Sequence, residues 1–247
     1  MRKFLLILLA LATSVTAPGT GNLPEESLGA VNYDVRYKLG VLNTKVATAT
    51  ITWEKADWKQ RPAYHSHAFI QTTPVFRVFL GSDYTADTYL SRNGLAPLFF
   101  SNPFQDGSKV EYVYNAERGE IESLTVRSTG ECENKTFPLD GHTLDLLSLL
   151  HDLRFRHFAA PDVSSSVHLL MGGKSYAARI VFQGTDTTAF PGKTAERILV
   201  QMTEHGLMEN GSGNEIYLWR TTTPERRLLG LEAALSSGKM TCRIQEE

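Results

Sequence analysis

TLDLLSLLHDLRFRHF, residues 143–158, is the one long stretch of the chain whose apolar residues recur with the period of a helix. Advancing about 100° per residue from Leu144 puts Leu146, Leu149, Leu150 and Leu153 in one arc and Leu144, Leu147, Phe155 and Phe158 in a second, roughly opposite. Asp145, Ser148, Asp152 and Arg156 form a polar stripe between the arcs. Asp152 precedes Arg156 by four, the favourable order for a helical ion pair. Asp140 and Thr143 are both candidate N-caps, because their side-chain oxygens can accept from the free amides of a first turn. Pro161 stops the pattern, since proline has no N–H and restricts the residue before it. A helix apolar on two sides needs partners on two sides, which predicts a helix cradled in the concavity of a curved sheet.

On either side of this stretch the apolar residues alternate instead. Tyr33, Val35, Tyr37 and Leu39 share one face of a strand, and Ala47, Ala49, Ile51 and Trp53 share a face of the next, with Gly40–Asn43 turning between them. Tyr64–Thr72, Thr85–Arg92, Pro97–Pro103, Val110–Asn115 and Ile121–Ser128 continue the series, and Pro74 opens a short helical turn. Beyond the helix come Val167–Met171 and Ser175–Gln183, joined at Gly172-Gly173, then Glu196–Thr203, Glu215–Thr221, Leu228–Ala234 and Met240–Ile244. About a dozen short strands with one principal helix exclude a parallel α/β fold, which needs a helix at each crossover. The class is mainly β: a curved antiparallel sheet, barrel or half-barrel, with the helix packed against it. Residues 31–247 read as a single β-rich domain, and a split at the helix into two β halves is the alternative.

Residues 1–17 have the form of a secretory signal peptide. Arg2 and Lys3 precede the apolar run Phe4–Ala12, and Val15-Thr16-Ala17 supplies a small-residue cleavage pattern. Residues 18–30, rich in glycine, proline and small polar groups, read as a flexible mature N-terminus. The expectation is an exported protein, with the periplasm as its compartment, that does not span the membrane after cleavage. A formal net charge of −2 gives no basis for nucleic acid as a partner. The two cysteines, Cys132 and Cys242, could form one disulfide in an oxidising compartment.

Several short features occur together: Tyr33, Val35 and Tyr37 in an opening strand, an Ala/Thr-rich second strand, and Asp145, Ser148, Leu153 and Arg154 in the helix. A late strand then carries Ile216-Tyr217-Leu218-Trp219. In this combination the chain resembles a family of exported bacterial proteins whose domain has no assigned function. The resemblance covers nearly all of the mature chain. It implies a curved antiparallel sheet with a helix packed against it, remotely similar to the half-barrels that carry lipoproteins across the periplasm. Where that family has an acidic residue and a proline after the tryptophan, this chain has Arg220-Thr-Thr-Thr-Pro224.

Two groups of residues could carry function. Leu146, Leu150 and Leu153, with Trp53, Trp219 and Arg154, would line a concave ligand site in which Arg154 pairs with an acidic head group. His65 and His67, two apart on a strand, share a face and could ligate zinc given a third ligand such as His142, His151 or His157. His151 and His157, six apart, fall on different helix faces and read as helix-end hydrogen-bonding groups. No nucleophile motif is present, and no cofactor is implied. The leading reading is a non-enzymatic cell-envelope protein that binds an apolar small molecule, lipid or envelope protein on a concave β surface. The alternatives are a periplasmic hydrolase, metal-dependent through His65 and His67, and a structural envelope-assembly subunit.

Overall fold

The computed structural model describes residues 27–77, 83–203, 214–235 and 237–245. The signal-peptide expectation therefore lies outside the described residues, as does most of the expected flexible N-terminus. The first strands are β1 (Gly29–Leu39), β2 (Leu42–Trp58), β3 (Arg61–Thr72), β4 (Tyr84–Ser91), β5 (Pro97–Pro103), β6 (Lys109–Asn115), β7 (Glu120–Val126) and β8 (Cys132–Pro138). A short β9 (Thr143–Asp145) runs directly into α1 (Leu146–Phe155). Then follow β10 (Ser164–Met171), β11 (Lys174–Asp186), β12 (Ala195–Met202), β13 (Glu215–Thr221), β14 (Leu228–Leu235) and β15 (Gly238–Ile244). Pro74–Phe76 forms the expected turn, as a 3-10 helix.

All fifteen strands belong to one sheet, in the order β8-β7-β6-β5-β4-β3-β2-β1-β15-β14-β13-β12-β11-β10-β9. Pairing is antiparallel throughout except between β9 and β10, which are parallel. The first and last strands pair with each other, so the ends of the sheet are strands from the middle of the chain. This order forces curvature. Laid flat, fifteen strands would place β8 and β9 about 67 Å apart at about 4.8 Å per strand. Residues 139–142 alone join them, and the five steps from Pro138 to Thr143 reach at most about 18 Å. The sheet must therefore roll up into a nearly closed barrel. Contacts across the gap agree: the Gly173 amide in the β10–β11 turn donates to Tyr112 Oη on β6 at 3.0 Å, and Lys135 Nζ on β8 donates to the Gly173 carbonyl at 3.3 Å. Register shifts in β1–β2, β4–β5, β11–β12 and β13–β14 supply local bends.

The helix occupies the barrel interior. From Leu146 to Phe155 there is no β-branched residue, and leucine loses little side-chain freedom in a helix. Thr143, by contrast, lies in β9. The helix is shorter than the 143–158 expected. Its N-cap is Asp145, where the sequence pointed to Asp140 or Thr143, because residues 143–145 are held as a strand by β10. It ends at Arg156, whose ψ of 133° is extended. The expected pair forms, with Asp152 Oδ2 and Arg156 Nε 3.0 Å apart. The leucines of both apolar arcs are covered, Leu146, Leu147, Leu149, Leu150 and Leu153 being buried in one core with strand residues such as Trp53, Leu90 and Ile121, while Phe155 and Phe158 at the end of the second arc are half-buried. The helix thus fills the concavity as a plug.

Candidate functional site

At the N-terminal end of α1, Asp145 is fully buried and meets five hydrogen-bond donors from four residues. One oxygen accepts from the amides of Leu147 and Ser148, both at 3.0 Å. The other accepts from the Ser148 hydroxyl, from Tyr114 Oη on β6 at 2.9 Å and from Thr88 Oγ1 on β4 at 3.5 Å. Burial raises the carboxyl pKa above the ordinary carboxylate value, and these hydrogen bonds oppose the rise. The carboxylate therefore caps the helix and also ties it to two strands.

At the other end, arginines satisfy the last carbonyls. Arg220, fully buried on β13, donates through Nη1 to the carbonyls of Leu153 and Arg154 and through Nε to Glu196 Oε2 on β12 at 2.6 Å. Arg226 Nη1 reaches the Arg156 carbonyl, and its Nη2 lies 3.1 Å from His157 Nδ1. Arg154 donates to the carbonyls of Glu225 and Ser27. Arg156 donates to Asp152 and to Ser165 Oγ, but its buried Nη2 has no acceptor. Burial lowers Arg154 and Arg220 to about 10 and Arg156 to about 9, so all three remain charged at neutral pH. With Arg226 and Arg227, five guanidinium groups meet three carboxylates here, Asp152, Glu196 and Glu225. Positive charge is in excess among the described residues. Phe155 and Phe158 stand half-buried at the same mouth of the barrel, and Phe158 stacks on Phe182 at 4.9 Å.

A second group lies outside the barrel. His65, His67 and Asp87 point outward from β3 and β4. His65 Nδ1 is 3.0 Å from Glu54 Oε1, and its Nε2 is 2.8 Å from Asp87 Oδ1, which also meets His67 Nδ1 at 2.9 Å. Asp87 is the main cause of a raised His65 pKa; burial opposes the shift and Glu54 adds to it. His65 stacks on Tyr89 at 4.6 Å, and Trp58 lies over both Tyr89 and Phe99, nearly parallel to the latter at 4.4 Å. Trp58 also walls a groove of about 250 Å³ at the barrel rim, between the tip of the β2–β3 hairpin and the β6–β7 turn.

The residues expected to form one ligand site are divided by the structure. Leu146, Leu150, Leu153 and Trp53 do come together, but as packed core with at most 5% of any of them exposed. Trp219 is on the other face of the sheet. Ile216, Leu218 and Arg220 alternate inward along β13, so Trp219 points out to pack with Phe190, Ala195 and Leu229 and donates to Asp186 at 2.9 Å. His65 and His67 share a face as expected. Carboxylates already engage both ring nitrogens of His65 and one of His67, and no group of three or more His, Cys, Asp or Glu side chains is arranged for a metal ion among the described residues. Both cysteines are free: Cys132 is exposed on edge strand β8, and Cys242 is buried on β15 in the middle of the sheet. His151 is not a helix-end group but is buried mid-helix against Trp53, with neither ring nitrogen hydrogen-bonded; burial pushes its pKa well down. At the end of the expected flexible N-terminus, Ser27 is buried and Gly29 begins β1. Sequence reasoning missed Tyr114, Thr88 and Glu196, whose roles arise only from contacts distant along the chain. It registered Arg220 only as a departure from a pattern.

A family model described as "Protein of unknown function (DUF3108)" matches residues 32–243. No curated protein matches the chain. Among solved structures, a beta-barrel-like protein of the domain of unknown function DUF1849 from Brucella abortus is similar, with a TM-score of 0.50 at 9% identity over 88% of this chain and 95% of that one. The Mycobacterium tuberculosis lipoprotein LppX aligns over 89% of this chain and 86% of its own at 11% identity, with a TM-score of 0.26. The first likeness concerns the fold alone.

Proposed function

We propose that this chain, which belongs to the DUF3108 family of proteins of unknown function, is an exported, non-enzymatic envelope protein that binds an apolar ligand with an acidic head group. That ligand is a lipid or the acyl chain of a lipid-bearing partner. The observation carrying this reading is the arginine-rich mouth at the C-terminal end of α1. Buried charges are normally paired, yet Arg156 has a buried Nη2 with no acceptor where guanidinium groups outnumber carboxylates. An anionic head group would complete that arrangement, with Arg154 and Arg156 as its partners, and Phe155 and Phe158 would receive the first methylenes. Leu150 and Leu153 lie deeper, on the buried side of α1 and in the same packed core as Trp53, so a longer chain would have to displace α1 to reach them. Export is supported by the pattern of residues 1–17. The buried groups with shifted pKa values mostly have structural roles: Asp145 caps α1, and Arg220 holds its far end.

The test is native mass spectrometry of protein purified from the envelope fraction, followed by titration of the delipidated protein with palmitate. Retained acidic lipid, or saturable palmitate binding that weakens at least tenfold in Arg156→Gln while the far-ultraviolet spectrum is unchanged, is the expected result. Absence of both retained lipid and palmitate binding in the unaltered protein would overturn the reading.

A further inference from the structure

The rim groove is separate from the arginine mouth and has a different chemistry. Trp58 ends β2 and pairs with Arg61 at the start of β3, so Lys59 and Gln60 form a two-residue hairpin turn. Both have positive φ, 48° and 67°. A turn of this kind normally carries Asn-Gly, because side chains at both positions are crowded in the left-handed region. Here two long side chains occupy it, and Lys59 Nζ sits 5.4 Å from the Trp58 ring. The indole is fixed from below by its stack on Phe99 and its contact with Tyr89, which is itself held by His65. Across the groove, Val113 supplies an apolar wall, while Asn115 and Glu117 supply polar groups. Arg61 and Glu117 face each other at 3.8 Å, both largely exposed.

This groove combines a flat, rigid aromatic wall with donors from Lys59 and Arg61, an acceptor from Glu117 and both from Asn115. We propose that it is a saccharide-binding site, in which one ring of a glycan packs its C–H face on Trp58 and its hydroxyls meet these four polar side chains. The competing occupants fit less well. An extended peptide would add to an unpaired strand edge, but here Trp58 pairs with Arg61 and Asn115 pairs with Glu120. An anion would meet Glu117, and an acyl chain, though it could lie against Leu98 and Val113, would offer Lys59, Arg61, Asn115 and Glu117 no polar partner. At about 250 Å³ the space is smaller than the ~300–1,000 Å³ of pockets that enclose drug-sized ligands. The site would therefore grip one sugar of a longer chain and leave the remainder outside.

The assay is isothermal titration of the full chain with the β-1,4-linked tetramer of N-acetylglucosamine, with maltotetraose as a second glycan. A cysteine-free tetrapeptide is run in parallel. Tryptophan fluorescence provides a second readout, since Trp53 and Trp219 are buried and Trp58 alone lies at this groove. Saturable binding of at least one glycan is expected, accompanied by a change in indole emission. Trp58→Ala should weaken it at least tenfold, Trp58→Phe by less, and Glu117→Gln by a few-fold, with unchanged thermal unfolding. The proposal is overturned if neither glycan binds at millimolar concentration, if Trp58→Ala binds as tightly as the unaltered chain, or if the tetrapeptide is the ligand that saturates. Palmitate binding is expected to survive Trp58→Ala, so loss of this site and loss of the arginine mouth are distinguishable.

Discussion

Replacing Asp145 by alanine and by asparagine separates its two roles. Its carboxylate caps α1 through the Leu147 and Ser148 amides and also receives the hydroxyls of Ser148, Tyr114 and Thr88. Alanine removes the cap, a loss of about 0.5–2 kcal/mol, and leaves the Tyr114 hydroxyl buried without its acceptor, a further ~1–3 kcal/mol. Asp145→Ala should therefore destabilise by about 2–5 kcal/mol. Asparagine caps as well as aspartate and carries no charge to desolvate. Its amide can donate where the hydroxyls donated before, because those hydroxyls can rotate to accept. Asp145→Asn should thus stay within about 1 kcal/mol of the unaltered protein. The raised pKa sets the sign with pH. A carboxyl whose pKa is higher in the fold than in the unfolded chain favours the fold most when protonated, below the unfolded value, and that advantage is lost as pH rises through the folded value. The asparagine variant lacks this titration, so its stability relative to the unaltered chain should improve as pH rises through that window. Urea unfolding followed by far-ultraviolet circular dichroism across the acid range measures all three. If asparagine were as damaging as alanine, or alanine cost less than about 0.5 kcal/mol, the assignment of Asp145 as cap and tie would be wrong.

Three further outcomes follow from other parts of the barrel. Asp87 is depressed, because His65 and His67 together outweigh its burial, and His65 is raised by Asp87. The cluster should stabilise above the ordinary Asp value and below the raised His65 value. His65→Gln should cost about 0.2–1 kcal/mol near pH 5.5 and progressively less at alkaline pH, as read by thermal melts. Cys242 is buried with its thiol pushed up to about 12, whereas Cys132 is exposed. A thiol reagent under native conditions should label one site at once and the second only on unfolding, resolved by intact mass. A Cβ on Gly230 would lie 2.5 Å from the Cys242 carbonyl and 3.1 Å from Phe190. Gly230→Ala should therefore cost about 1–3 kcal/mol in urea unfolding, while Gly107→Ala, with open space at its Cβ, should show only the strain of its positive φ.

The barrel and its helix were legible in the sequence because both rest on periodicity. Alternation marked most strands, Gly172-Gly173 marked a hairpin, and the leucine spacing marked α1 and its two covered faces. The limits of α1 were not legible. Thr143–Asp145 carries the same leucine pattern as the helix, and only the parallel pairing with β10 converts it to a strand. Strand β8, CENKTFP, was not visible either, since an exposed edge strand has no buried face to impose alternation. The expected ligand wall failed at Trp219 because which face of a strand turns inward depends on its neighbours, and a tryptophan fits either. His65 and His67 were correctly placed on one face, but Asp87 and Glu54, which engage their nitrogens, lie on other strands and no spacing links them.

The closing of the barrel and the fixing of the helix have one topological cause. Because residues 139–142 are all that joins the two ends of the sheet, the curled strands and the helix that follows them must be held together at short range. The helix is tied at its start to β4 and β6, on one side of the β1–β15 junction, and at its end to β13, on the other. It therefore works as a spoke between two halves of the sheet, hydrogen-bonded to strands at its two ends, with leucines and the buried His151 between. Removing it would take from Asp145 its amide partners and from Arg220 the carbonyls of Leu153 and Arg154, and buried charges that lose their partners cost several kcal/mol each. A protein built in this way does not open its interior cheaply. Both proposed ligand sites accordingly lie outside the packed interior: the arginine mouth beyond Phe155, and the rim groove lined in part by Tyr114, the residue that holds Asp145.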